Sequence, residues 1–258
     1  MQRRRFRTSA RPRTIVPPAP TYDFQDEFTG SSLDGSKWVR ENLGYGYGSL
    51  ETFTADTDLA TVSGGQLVMK AIKDQSGARP WRAPYISTRG KFTMRTGTVE
   101  FRCTQPTAQG AWTAPIWLHN SAFGENGSAR AELDLSELFP GGGVSGPGTY
   151  STLHDWSHSP QVATNNTPST VVQDGLPHTY KATWDATKFE SWIDGVSQGI
   201  ITAAAFNAAG GDFSVFSTTD MYLISDLAVG TSWGGPEPLA GTTALQFSID
   251  YIRVTKTS

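Results

Sequence analysis

Hydrophobic and polar residues alternate with a period of two along much of the chain from about residue 22. Over residues 99–104, Val, Phe and Cys alternate with Glu, Arg and Thr, as expected when successive side chains of a strand point to opposite faces. Residues 66–73 form another strong strand candidate. Residues 180–184 and 188–193 flank Asp185–Thr187 and read as a hairpin. Cys103, the only cysteine, is predicted to be a small buried apolar residue without a disulfide partner.

Convincing helical periodicity is absent, apart from one short turn predicted within residues 201–206. Strand candidates recur at intervals of 8–12 residues, which is typical of a β-sandwich. A chain of 258 residues fits one large all-β domain with a substantial core. Its 27 glycines and eight tryptophans suit many turns and an aromatic-lined cleft, and no apolar run is long enough to predict a membrane span.

The charge distribution divides the chain at about residue 21. Residues 1–20 contain six arginines, four prolines and no acid, whereas the rest holds 15 Lys and Arg against 24 Asp and Glu, a formal charge of −9. The acidic body argues against nucleic-acid binding and fits a neutral polysaccharide. We predict a flexible basic arm over residues 1–21 and a catalytic domain over residues 22–258. The arm is either a disordered tail or a segment that docks on a partner or anionic surface.

The most informative segment is Glu-Leu-Asp-Leu-Ser-Glu at residues 132–137. Acids occupy positions 132, 134 and 137, and leucines occupy 133, 135 and 138. Both sets break the two-residue period at the same place, so one extra residue near 135–136, a β-bulge, restores both. In a helix the acids would scatter to roughly 0°, 200° and 140°. We therefore expect three carboxylates on one face of a bulged strand, above three leucines.

Three interpretations of these acids are open from the pattern alone. Carboxylates on one face raise one another's pKa, which favours acid–base catalysis. Clustered Asp and Glu also suit a metal such as calcium. An ordinary exposed strand is the third alternative, although the run contains no Lys or Arg to balance its charge.

Segments around the acids complete a recognisable order. A Trp-rich stretch, Gly110–Leu118, precedes them, and Asp226–Gly234 (DLAVGTSWG) follows, while residues 85–92, 97–102 and 247–254 read YISTRGKF, GTVEFR and FSIDYIRV. This arrangement resembles glycoside hydrolase family 16, in its laminarinase-like branch, over about residues 22–256. The departures are Ala131 where the family often has Gly, GSLE at residues 48–51 in place of GNNE, and a Trp-rich segment one residue longer. They lie where sugar contacts are expected.

The resemblance implies a concanavalin-like β-jelly-roll sandwich of two antiparallel sheets, with a substrate cleft on the concave face. It implies Glu132 as nucleophile and Glu137 as general acid/base, with Asp134 between them and hydrogen-bonded to Glu132. It implies no cofactor for catalysis.

The resemblance also implies a set of cleft residues. Trp112, Trp117 and Trp233 match positions that offer flat apolar faces to sugar rings. His154 is a candidate partner of the acid/base or of a sugar hydroxyl, with a structural histidine as the alternative. Trp156 is interpreted as a core residue.

A structural calcium is a further implication of the resemblance. Asp250 matches the carboxylate ligand, and backbone carbonyls near Gly64 and Tyr22 would complete the site. The alternative is an ordinary surface aspartate on the last strand.

The function implied is an endo-acting, retaining hydrolase of a β-linked polysaccharide, with β-1,3-glucan of the laminarin type as the leading substrate. A β-galactanase of the agarase type is the alternative within this fold. A non-catalytic carbohydrate-binding or virion-associated module is the alternative outside the enzymes. The substrate class predicts an extracellular or cell-surface location, although residues 1–20 lack the apolar segment of a secretory signal, and a phage-borne enzyme would also be compatible.

Overall fold

The computed structural model describes residues 20–44, 46, 50–74, 79–120, 131–140, 148–158, 161–166, 174–230 and 235–257. Strands dominate these residues. In chain order the strands are β1 (Phe24–Asp26), β2 (Val39–Arg40), β3 (Glu51–Thr54), β4 (Ala60–Ser63), β5 (Gln66–Lys73), β6 (Trp81–Ser87), β7 (Gly97–Thr104), β8 (Ala111–Trp112), β9 (Trp117–His119), β10 (Ala131–Leu138), β11 (Thr149–Asp155), β12 (Val162–Asn166), β13 (Pro177–Trp184), β14 (Lys188–Ile193), β15 (Val196–Thr202), β16 (Tyr222–Asp226), β17 (Ala228–Val229) and β18 (Ala244–Lys256). The helices are α1 (Ala203–Ala208) and α2 (Val215–Thr218).

The strands form two layers of an all-β sandwich, which confirms the predicted fold class. The front layer runs β12-β11-β10-β9-β16-β6, and the back layer runs β5-β18-β7-β13-β14-β15. The two layers are less separate than predicted, because β6 also pairs with β5 and makes the hydrogen-bonded order continuous. Nearly all pairings are antiparallel, but β3 pairs with β6 in parallel.

The core lies between the layers and is built by the alternating strands. On β7, Val99, Phe101 and Cys103 are fully buried, and the ring of Phe101 stacks on Tyr180 of β13 with centroids 5.2 Å apart. Burial of a large apolar side chain contributes about 1.5–3 kcal/mol to stability. Cys103 is buried as predicted, and burial raises the pKa of its thiol well above the ordinary range.

Local turn chemistry explains where several strands end. The predicted hairpin pairs β13 with β14, and β14 turns into β15 through Asp194 and Gly195, both with positive φ (50° and 78°). This backbone conformation is the one that a tight hairpin turn requires. The predicted helical turn corresponds to α1, whose Thr202 side chain accepts a hydrogen bond from the backbone N–H of Ala205 at 3.1 Å.

Helix α2 is only four residues long, which is too short for a helical period to be recognised in the sequence. Neither helix of the described chain has the length and hydropathy needed to cross a membrane.

Candidate active site

The site is built on β10, at the centre of the front layer. β10 pairs with β11 on one side and β9 on the other, and its register with β11 shifts between Asp134 and Glu137. Two residues, 135 and 136, thus oppose Ser151 alone, so the predicted β-bulge is confirmed. The three acids line one cleft. Leucines 133, 135 and 138 are buried in the protein.

Three ring nitrogens surround Glu132, one from β9 and two from β11 and its C-terminal end. The indole Nε1–H of Trp156 donates to Glu132 Oε2 at 3.1 Å. His154 Nε2 lies 3.6 Å from Oε1, and His119 Nε2 lies 3.6 Å from Oε2. The Glu132 side chain is only 11 % exposed. The hydrogen bond from Trp156 fixes the orientation of the Glu132 side chain.

His154 connects the acids to the edge strand of the front layer. Its Nε2 lies 3.2 Å from Asp134 Oδ2, and its Nδ1–H donates to Gln161 Oε1 at 2.8 Å. Burial disfavours the charged ring, but Glu132 and Asp134 outweigh burial and raise the pKa of His154 to about 10. His154 is therefore an imidazolium at neutral pH, with both nitrogens donating.

Asp134 and Glu137 both have raised pKa values. Burial raises the pKa of Asp134 well above its ordinary range, and the negative charges of Glu137 and Glu132 add to the effect. Burial also raises the pKa of Glu137, although the hydrogen bond from Thr152 Oγ1 at 2.6 Å opposes the shift. A glutamic acid with a raised pKa keeps its proton closer to neutral pH, as a general acid requires.

A cleft of about 390 Å³ opens above these groups. Trp112 lies at its wall, where its ring stacks near Phe139 with centroids 5.8 Å apart, and its indole hydrogen-bonds to Glu137. Trp117 contributes to the lining but is only 4 % exposed, and its Nε1–H donates to Asp226 at 2.8 Å. Trp233, the remaining predicted tryptophan, lies outside the described residues.

Several functional residues were not predicted from the sequence. Trp156, interpreted as a core residue, instead donates to Glu132 and stacks near His154 with centroids 5.8 Å apart. Thr152 and Gln161 bind Glu137 and His154. Trp156 and Thr152 each lie two residues from His154. Because residues two apart on a strand share a face, this spacing could have placed both of them beside His154 in the cleft. No comparable signal existed for Gln161.

The acids fit an acid–base site better than a metal centre. Glu132, Asp134 and His154 bring one possible ligand atom each within 4.8 Å of the others. A metal bound there would have to displace the proton that Glu132 and Asp134 favour on His154.

Asp250 has partners other than the predicted calcium. Its Oδ1 accepts a hydrogen bond from Gln66 Nε2 at 2.6 Å, and its Oδ2 forms an ion pair with the guanidinium of Arg102. A guanidinium in this position neutralises the carboxylate and would repel a divalent cation. The side chains as arranged do not fit calcium, so calcium binding at Asp250 stays a prediction that requires Arg102 to move.

The charge of His154 predicts a pH dependence of folding stability. Its pKa of about 10 in the folded protein exceeds the ordinary histidine value of about 6.5. The stabilising contribution is therefore complete below about pH 6.5 and is lost as the pH rises through about 10. Urea denaturation should show that the unfolding free energy of the wild type falls more between about pH 7 and about pH 10.5 than that of His154→Gln. Parallel pH profiles for the two proteins would contradict the assigned charge.

Fold and site together define a jelly-roll protein with a carboxylate-based cleft of the kind that glycoside hydrolases use. No family model matches the chain. The glucan endo-1,3-β-glucosidase A1 of Niallia circulans is 29 % identical over 90 % of this chain, and the β-glucanase of Rhodothermus marinus is 26 % identical over 90 %. The chain spans 37 % of the former protein's length and 83 % of the latter's.

A solved structure gives the same result. The laminarinase catalytic domain of Thermotoga maritima superposes with a TM-score of 0.75 and 26 % identity, covering 92 % of this chain and 98 % of that one. In sequence and fold the chain is similar to the laminarinases of glycoside hydrolase family 16.

Proposed function

We propose that this protein is an endo-acting, retaining glycoside hydrolase that cleaves β-1,3-glucan of the laminarin type. The observation that carries the proposal is the bulged strand, which directs Glu132, Asp134 and Glu137 into one cleft. A retaining mechanism needs two carboxyl groups that take opposite roles, one as nucleophile and one as acid. The differing surroundings of Glu132 and Glu137 support that division of roles.

The first chemical step breaks the glycosidic bond. Glu137, whose pKa burial raises, donates its proton to the leaving oxygen while Glu132 attacks the anomeric carbon. A covalent glycosyl–Glu132 ester forms, and the leaving chain departs as an alcohol. Trp156 and the His154 imidazolium hold the Glu132 carboxylate in place before the attack.

The second step restores the enzyme. Glu137, now a carboxylate, removes a proton from water, and the resulting hydroxide attacks the anomeric carbon and releases Glu132. Two inversions leave the product with the configuration of the substrate. Asp134 lies between the two glutamates in sequence, and its Oδ2, 3.2 Å from His154 Nε2, helps to position that ring beside Glu132.

The choice of β-1,3-glucan rests on the relatives, whose names specify glucans, and on an aromatic cleft wall suited to sugar rings. Action on an extracellular polysaccharide would place the enzyme outside the cell or at its surface. Residues 1–19 lie outside the described part of the chain, and docking of the basic arm stays a prediction.

A reducing-sugar assay over laminarin, lichenan, agarose and carrageenan tests the proposal. We expect release from laminarin at the highest rate, internal cleavage that yields oligosaccharides, and β-anomers as the first products seen by NMR. The Glu132→Gln variant is the control for contaminating activity. Release from agarose alone would assign a β-galactanase, and binding of polysaccharide without any release would assign a carbohydrate-binding module.

A further inference from the structure

The β-bulge of β10 leaves part of its backbone without ordinary sheet pairing. Residues 135 and 136 face the single residue Ser151 on β11, so the extra residue cannot take part in a regular ladder. Buried backbone carbonyls that lack a partner cost free energy comparable to a lost hydrogen bond. Something other than the sheet must therefore satisfy these groups.

Two buried side chains supply the missing hydrogen bonds. The hydroxyl of Ser151 donates to the carbonyl oxygen of Leu135 at 2.8 Å. The amide Nε2 of Gln105 donates to Ser136 twice, to its hydroxyl at 3.0 Å and to its carbonyl oxygen at 3.3 Å. Gln105 and Ser151 are 5 % and 6 % exposed, so water does not replace these bonds easily.

Gln105 reaches the bulge from the opposite layer. It directly follows β7, a central strand of the back layer, whereas the bulge belongs to the front layer. Its contacts to Ser136 therefore connect the two layers under the site. The hydroxyl of Ser136 is held on the buried side, away from the cleft.

The alternative to the bulge is a regular strand, and it would destroy the site. With strict alternation, residue 136 would share the face of Glu132 and Asp134, and residue 137 would turn to the other face. The contacts of Gln105 and Ser151 depend on Ser136 and Leu135 staying in the bulged arrangement. They stabilise the one register that directs Glu137 into the cleft.

We propose that Gln105 and Ser151 are positioning residues for Glu137, which act through the backbone of the bulge. The inference rests on the proposed function, in which Glu137 is the general acid/base. Glu132 lies before the bulge and keeps its own partners, so loss of either positioning residue should impair proton donation more than nucleophilic attack.

The test compares two substrates in Gln105→Met, which keeps the side-chain length and removes the amide. Laminarin needs protonation of its leaving oxygen, whereas a dinitrophenyl β-laminarioligosaccharide has a leaving group that departs without it. We expect kcat/KM on laminarin to fall by about tenfold to a hundredfold, since misplacement by about 1 Å can cost that much. On the aryl glycoside, kcat/KM should change less than about twofold, because Glu132 still attacks.

The matched control is Gln109→Met, which removes a similar hydrogen bond, from Gln109 Nε2 to the carbonyl of Glu237, in an exposed place. This variant should have the wild-type kcat/KM on both substrates. Ser151→Ala, which deletes only a hydroxyl, should likewise lose activity on laminarin and keep it on the aryl glycoside. This variant provides the test if Gln105→Met fails to fold. Azide, a nucleophile that needs no base, should accelerate aryl glycoside turnover in Gln105→Met more than in the wild type.

Equal losses on both substrates, or no loss on laminarin, would overturn the positioning role. An inactive wild type on both substrates would instead refute the proposed function. Crystal structures of the wild type and Gln105→Met would then show whether loss of the Gln105 amide moves the Glu137 side chain. A Glu137 side chain that occupies the same place in both would contradict the positioning role.

Discussion

Glu132→Gln should lower kcat on laminarin by at least about a hundredfold while leaving the fold intact. The amide of glutamine is a poor nucleophile and cannot form the glycosyl ester. The fold should survive because the glutamine carbonyl can still accept the hydrogen bond from Trp156. Reducing-sugar kinetics together with thermal unfolding by circular dichroism measure both parts of the expectation.

The same variant has a second readout that does not depend on activity. Burial of His154 opposes its protonation, and Glu132 is the largest of the influences that raise its pKa to about 10. Removing the charge of Glu132 should lower that pKa, which an NMR titration of the His154 ring detects. Glu190→Gln, on β14 of the back layer, is the control and should leave both the turnover and the titration unchanged. Near wild-type turnover in Glu132→Gln would show that another group is the nucleophile.

Glu137→Ala should lower kcat on laminarin by about 10²–10⁴, the range that general acid–base catalysis contributes. Its kcat/KM on a dinitrophenyl glycoside should remain close to the wild type, since that leaving group needs no proton. Added azide should restore turnover of the aryl glycoside, because azide attacks the glycosyl ester without a base.

The pH profile separates this role from a structural one. Burial raises the pKa of Glu137, so wild-type kcat/KM on laminarin should fall on the alkaline side at a pH above the ordinary glutamic acid value of about 4.3. The residual activity of Glu137→Ala should lack that alkaline fall. A variant that retains it would assign the alkaline limb, and the acid role, to a different residue.

The bulge could be predicted from the sequence because two independent patterns break at one place. The acids and the leucines of residues 132–138 depart from the two-residue period of a strand at the same position. One inserted residue restores the period for both sets. The face of β10 on which Glu137 lies could therefore be predicted from local sequence spacing. The fold class followed similarly from strand periodicity and turn residues.

Contacts that depend on the register between distant strands could not be predicted. Gln161 reaches His154 only because β12 pairs with β11, and Arg102 reaches Asp250 because β7 lies beside β18. Sequence spacing contains no information about these registers. The charge of His154 depends in turn on burial and on carboxylates from a neighbouring strand, which only the folded arrangement brings together.

The fully buried thiol of Cys103 makes this protein convenient for chemical labelling. The chain has one cysteine, and a thiol without exposure and with a strongly raised pKa reacts slowly with maleimides. A cysteine introduced on the surface, for example at exposed Ser197 of β15, would therefore react alone without removal of the native one. Fluorophores or spin labels could then be attached at single chosen positions while the core remains unmodified.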